Sequence, residues 1–258
     1  MAEIQRPGAL HRQVAAAIRD GIATGEYPAG SPLPSESQLI DRYQVSRPTV
    51  RNAIAALRAE GLIEVVHGKG SFVRSAPVSG IKINRTITKD CKGNFYAGFE
   101  AWNLLEEPSI YRSHTDGTTG PLLELDEGEA LFAVDRLWEI TGAGVRLAHR
   151  LLIPFATAEG TELADAPDTD PGRVYAILAE SGHELAWSET ASARMPLPDE
   201  RTALELPDAT PVLHTTRITH GNENRPLLLE ELRTNGGLAQ ATYRITATTS
   251  RQLAAVPD

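Results

Sequence analysis
The sequence predicts an α+β protein in two parts: a small helical unit closed by a β-hairpin, then a larger domain built on an antiparallel sheet. Three observations predict it. Apolar residues recur at helical spacing between positions 10 and 57 and then give way to short apolar runs around a glycine-rich turn. Beyond position 82, apolar runs such as ALFAVDRLWEI, VRLAHRLLIPFA and PVLHTTRITHG are separated by loops. Charge is also divided unevenly: residues 1–76 hold nine Lys and Arg against seven Asp and Glu, so the overall net charge of −9 belongs to the remainder.

Leu10, Val14, Ile18 and Ile22 step by four and line one side of a helix over about 9–24, which Gly25 and Pro28 close. Ser35 with Gln38 three residues later is a capping-box pattern, and a short helix carrying Leu39, Ile40 and Tyr43 follows. Ser46 can cap a third helix with Pro48 in its first turn, running to Glu60 and stopped by Gly61. On that helix Val50, Ile54 and Leu57 share an apolar arc, while Arg47, Arg51 and Arg58 fall within roughly 40° of one another beside it. The apolar arc can pack and the arginines can reach outward. Asn52, Ala55 and Ala59 keep the outward surface small, as entry into a major groove about 12 Å wide requires. Leu62, Ile63, Val65 and Val66, the turn His67-Gly68-Lys69-Gly70, and Phe72 with Val73 read as a hairpin, the wing of a winged helix-turn-helix. SAPVSG has the composition of a linker. The expected division is therefore 1–75 for the helical head, 76–81 for the linker and 82–258 for the second domain.

Composition narrows the function classes. No window reaches the roughly 18 apolar residues of a membrane span, and the start lacks the apolar core of a signal peptide, so a cytoplasmic protein is expected. The single cysteine, Cys91, cannot form an internal disulfide, and no Cys/His cluster has zinc spacing. No cofactor or metal is expected.

The stretch 33–74 resembles the DNA-binding domain of the GntR family: Leu-Pro-Ser-Glu, Ser-Arg-x-Thr-Val-Arg, Glu-Gly-Leu-Ile and Gly-x-Gly-Ser-Phe-Val occur in order and at family spacing. The resemblance implies a transcription regulator that reads a palindromic operator in double-stranded DNA as a homodimer. Its base-reading positions fall on Arg47, Thr49 and Arg51. Arginine suits this work because its planar fork matches O6 and N7 of guanine. Ser35, Glu36 and Ser37 open the preceding helix, where N–H groups and hydroxyls can hold phosphate. His67, Gly68 and Lys69 become the wing tip. Plainer readings stay open: Glu36 as a first-turn residue complementing the helix dipole, Thr49 as a helix-stabilising hydroxyl, and His67 as a turn residue.

Residues 125–140, 149–154, 172–182 and 209–232 resemble the effector-sensing UTRA domain of the HutC subfamily, which has a chorismate-lyase-like fold. Helices are expected near 171–182 and 198–206. The family's ligand-holding positions fall on Arg136, His149, Arg150, Glu189, Glu231 and Tyr243. Trp138 stands where the family often has a second arginine, and His149 where a glutamate is common. The loss of a double-arginine clamp points away from a sugar phosphate and toward an effector with less negative charge, or with a flat apolar part that Trp138 could cover. Arg136 could instead pair with Asp135 or Glu139, and Trp138 could belong to the core.

Three functions follow: a repressor released by a small-molecule effector, a DNA-binding repressor whose second domain only dimerises, and, remotely, a chorismate-lyase-like enzyme. No Ser/His/Asp arrangement, metal motif or phosphate loop supports the last, and a non-enzyme is expected.

Overall fold
The structure, a computed structural model, describes residues 7–66, 69–74, 80–98, 102–140 and 144–245. The head contains α1 (Pro7–Ala23), α2 (Glu36–Tyr43), α3 (Arg47–Ala59) and a hairpin of β1 (Ile63–Val66) with β2 (Gly70–Val73). The capping box forms as its sequence predicts: Ser35 N–H donates to Gln38 Oε1 at 2.8 Å, and Gln38 N–H donates to Ser35 Oγ at 3.3 Å. Ser46 Oγ caps α3 by accepting from Thr49 N–H. Between the two helices Gln44 adopts a left-handed conformation, φ 51°, which turns the chain within three residues. Val14, Ile18, Leu39, Val50, Ala53, Leu57, Ile63 and Val73 meet in one core, so the apolar arc of α3 packs against α1 and the hairpin. A bidentate pair from Arg19 to Glu60 ties α1 to the end of α3.

The second domain begins with β3 (Ile81–Asn84), the two-residue pair β4 (Thr88–Lys89) and β5 (Phe95–Tyr96), β6 (Asn103–Leu104) and β7 (Ser109–His114). It continues through α4 (Thr119–Leu123), β8 (Ala130–Ile140), β9 (Val145–Pro154), α5 (Phe155–Ala158) and α6 (Pro171–Glu180). The remaining elements are β10 (Ala186–Arg194), α7 (Pro198–Ala203), β11 (Val212–His220), β12 (Pro226–Asn235) and β13 (Ala239–Thr242). One seven-stranded antiparallel sheet runs in the order β10-β11-β12-β9-β8, with β6 and β7 both on the outer edge of β8. β13 pairs in parallel with β3 beside it.

Because side chains alternate across a strand, the sheet has two faces of different character. One packs Val134, Leu147, Leu151, Leu228 and Leu232 against Val174, Tyr175, Ile177 and Leu178 of α6. The opposite face packs Leu131, Ala133, Leu152 and Leu229 under α4, and Val212, Leu137 and Ala148 under the segment from α7 to Leu206. Both faces of β9 and β12 are thus covered, which is why each carries an unbroken apolar stretch, residues 151–154 in β9 and 226–229 in β12. Among the described residues, no helix is long and apolar enough to cross a membrane.

Candidate functional site
The outer face of α3 is set by its own packing. Burial of Val50, Ala53 and Leu57 turns Arg47, Pro48, Arg51, Asn52 and Ala55 outward, where they line one shallow hollow. The Arg47 and Arg51 side chains are 66% and 70% exposed, and each comes no nearer than 3.9 Å to the Glu36 carboxylate. Contacts that long and that exposed are worth little, so both guanidiniums can turn to a stronger partner at small cost. Glu36 lies in the first turn of α2, where its charge also complements the helix dipole. Ser35, Ser37 and Lys69 are exposed; the Thr49 hydroxyl lies 2.9 Å from that of Ser46 in the cap. His67 and Gly68 lie outside the described residues. Arg58 departs from the other two arginines: it forms an ion pair with Asp208 in the second domain, and Arg74 donates to the Asp208 carbonyl oxygen at 2.6 Å.

In the second domain the predicted ligand-holding residues are split between the two faces of the sheet. Arg136, Trp138, His149 and Glu189 sit on the α6 face, with Tyr243 donating to Glu189 at 3.0 Å from beyond β13. Arg150 and Glu231 point to the opposite face: Arg150 makes a bidentate pair with Asp135, and Glu231 lies 3.6 Å from His214. The acid that meets His149 is Glu230, one position earlier, because a single-residue step along a strand reverses the face. Arg136 pairs with neither Asp135 nor Glu139. Its Nη2 donates to the carbonyl oxygens of Asp168 and Thr169, both at 2.8 Å, just before α6.

The α6 face holds a buried polar network. Glu230, 1% exposed, accepts from His149 Nε2 at 3.1 Å and from the Tyr175 hydroxyl. Glu189 accepts from Arg85 Nε at 2.9 Å and from Arg217 Nε at 2.5 Å, and Arg217 also donates to the Arg85 carbonyl oxygen. Burial pushes the His149 imidazole below its ordinary range, so it is neutral near pH 7 and holds its Nε2 proton toward Glu230. Burial alone would raise Glu230, but the hydrogen bond from His149 and the charges of Arg217 and Arg85 outweigh it and hold the carboxyl down to about 2. Among the described residues, the Nη1 atoms of Arg136 and Arg217 are buried without a hydrogen-bond partner.

Beside this network lies a cavity of about 330 Å³ lined by Phe95, Tyr96, Ala97, Trp102, Trp138, Asp170, Pro171 and Gly172. Sequence reasoning found only Trp138 of that set. Phe95 and Trp102 lie in a segment without strong periodicity, and Arg85, Tyr175, Arg217 and Glu230 came without a signal, since their partners are 28 to 132 residues away in sequence.

Residues 10–73 match the gntR family of bacterial regulatory proteins, and residues 112–237 match the UTRA domain. The chain belongs to the GntR family. Its head is a DNA-binding winged helix-turn-helix, and its UTRA domain is of an effector-binding type. An uncharacterised HTH-type transcriptional regulator of Streptomyces coelicolor is 27% identical over 223 residues, 81% of this chain and 82% of that protein. The mannosyl-D-glycerate transport/metabolism system repressor of Escherichia coli is 41% identical over 70 residues, 27% of this chain and 29% of that protein. That likeness spans little more than a quarter of either chain, so what the relative responds to stays with it. A solved structure of a GntR-family transcriptional regulator matches 93% of this chain and 98% of its own with a TM-score of 0.67 at 20% identity, a likeness of fold.

Proposed function
We propose that this GntR regulator is a repressor that binds a palindromic operator as a homodimer and is released when a small molecule occupies its UTRA domain. The observation that carries the DNA half is the outer face of α3: two exposed arginines whose ion pairs among the described residues are long ones to Glu36, set among residues small enough for the helix to approach base edges. Arg47 and Arg51 take guanine edges, Ser35 and Ser37 take phosphate at the start of α2, and Lys69 takes phosphate from the wing. Glu36 hands its two arginines over to the DNA rather than touching it.

Coupling runs through the loop after α7. Glu200 of α7 is held by Arg194 at the end of β10 and by Arg233 of β12, and Asp208 at the end of the same segment holds Arg58 of the recognition helix. A ligand that shifts the sheet or α6 moves the anchor of the head. Because two half-sites demand a fixed separation of heads, a small shift lowers operator affinity, and DNA must equally weaken ligand binding. The protein acts on DNA in the cytoplasm and carries out no turnover.

A second reading has its own support. Tyr175 and His149 satisfy Glu230 from within, as expected of a UTRA domain that only dimerises. One experiment separates the two. Duplexes selected from a random pool define the operator; a metabolite panel is then screened for thermal stabilisation and for operator release. A true effector at 100 times its Kd stabilises by about 2.7 kcal/mol and releases DNA. Operator binding that no stabilising compound weakens overturns the effector-release reading.

A further inference from the structure
The cavity beside Trp138 has a chemistry of its own. Among the described residues, four of the eight that line it are aromatic, Phe95, Tyr96, Trp102 and Trp138, and the one charged residue is Asp170. Aromatic faces carry negative quadrupole potential, so this wall and this carboxylate have the same electrostatic sense. The cavity borders the start of α6, a place where an anion could settle on free N–H groups. Here that position is already filled: Asp170 Oδ1 accepts from Gly172 N–H at 2.9 Å, and Pro171 has no N–H to offer. Arg136 of β8 is not among the residues that line the cavity, and its Nη2 is turned to the carbonyl oxygens of Asp168 and Thr169. An anionic ligand would therefore meet a carboxylate, ring faces and an occupied helix terminus.

The molecule also shows a cation on this wall. The Lys89 ammonium stands 4.9 Å from the centre of the Phe95 ring. Lys89, with Lys92 and Arg173, lies in a neighbouring hollow of about 540 Å³ that shares Phe95, Tyr96, Asp170 and Gly172 with the cavity. Arg173 is engaged by Glu162 and Glu180, so the acidic partners of this region already draw in cations.

From the aromatic lining and the position of Asp170 we infer that this cavity binds a planar organic cation. The inference builds on the reading of the UTRA domain as an effector domain, and it names the effector's class. The flat ring lies between Trp138, Trp102 and the Phe95–Tyr96 strand, and its positive edge faces Asp170. A volume of about 330 Å³ admits a mono- or bicyclic ligand.

Three probes of one size test it on the full chain: benzamidinium, benzamide and benzoate. Binding is read by quenching of tryptophan fluorescence and by calorimetry. Benzamidinium should bind with a Kd of about 1 mM or tighter, as expected for a fragment of that size. It should bind about tenfold tighter than benzoate, with benzamide between them. Asp170→Asn keeps an oxygen to cap α6 and should abolish the preference for benzamidinium over benzamide, while Trp138→Leu should weaken all three. Circular dichroism confirms that each variant is folded; if Trp138→Leu does not fold, Asp170→Asn still decides. Benzoate binding as tightly as benzamidinium, no saturable binding of benzamidinium, or a charge preference unchanged in Asp170→Asn overturns the inference. The same probes added to operator complexes separate this from the repressor reading: binding in the expected order without release of DNA leaves the cation site standing and removes its regulatory role.

Discussion
Replacing Glu230 with glutamine keeps the shape of the side chain and removes its charge at a position 1% exposed. Glutamine offers one acceptor oxygen where Glu230 accepts from both Tyr175 and His149, so one of the two donors faces an amide N–H. Leaving one buried donor unsatisfied costs about 1–3 kcal/mol. Arg217 and Arg85 also lose a nearby negative charge, but both keep Glu189, so the full penalty of about 3–5 kcal/mol for breaking a buried pair does not apply. The expected destabilisation is about 2–4 kcal/mol. All three tryptophans, Trp102, Trp138 and Trp187, lie in the UTRA domain, so urea unfolding followed by their fluorescence reports this domain selectively. With a slope of about 2 kcal/mol per molar urea, the midpoint should fall by about 1–2 M. A loss below about 1 kcal/mol would show that the network is not a load on the fold, and the account of the α6 face would be refuted.

Other consequences are as direct. His149 and Glu230 both have their pKa depressed by folding, so each contributes stability that is full above its unfolded value and lost as pH falls: for His149 below 6.5, for Glu230 from 4.5 down to about 2. Urea midpoints measured across pH should decline below 6.5 in the parent and show a weaker decline in His149→Gln; a flat parent profile between pH 6.5 and 5 contradicts this. Ser46→Ala removes the cap of α3 and should cost the head about 1 kcal/mol in thermal unfolding followed by far-ultraviolet circular dichroism. Asp208→Ala removes the anchor of Arg58 and should lower operator affinity about twofold, in line with the roughly 0.5 kcal/mol of a half-exposed pair; the same change in an Arg58→Ala background should have no effect.

The head was legible because its signals are local. A cap and its partner lie three residues apart at Ser35 and Gln38, and the apolar arc of α3 needs only the helical period to be seen. The strands of the UTRA domain were also visible in outline, since the largely apolar run ALFAVDRLWEI fills β8 from end to end. Which acid faces the interior was not legible. In PLLLEELRTN both faces are covered, so the apolar pattern gives no parity, and Glu230 and Glu231 look alike until β9 and β11 are laid beside them. Arg58 illustrates the other limit: on the helix it groups with Arg47 and Arg51, and only a loop 150 residues later draws it away.

The regulator stands or falls on whether α3 reads DNA. Titration of a duplex selected from a random pool with the parent, Arg47→Ala and Arg51→Ala, at two salt concentrations, tests this most directly. Each variant should bind about 5- to 150-fold more weakly, the 1–3 kcal/mol of a good guanine pair, and should lose discrimination against substituted sites. Binding by both variants within about twofold of the parent, with the sequence preference intact, would place the DNA somewhere other than on the outer face of this helix.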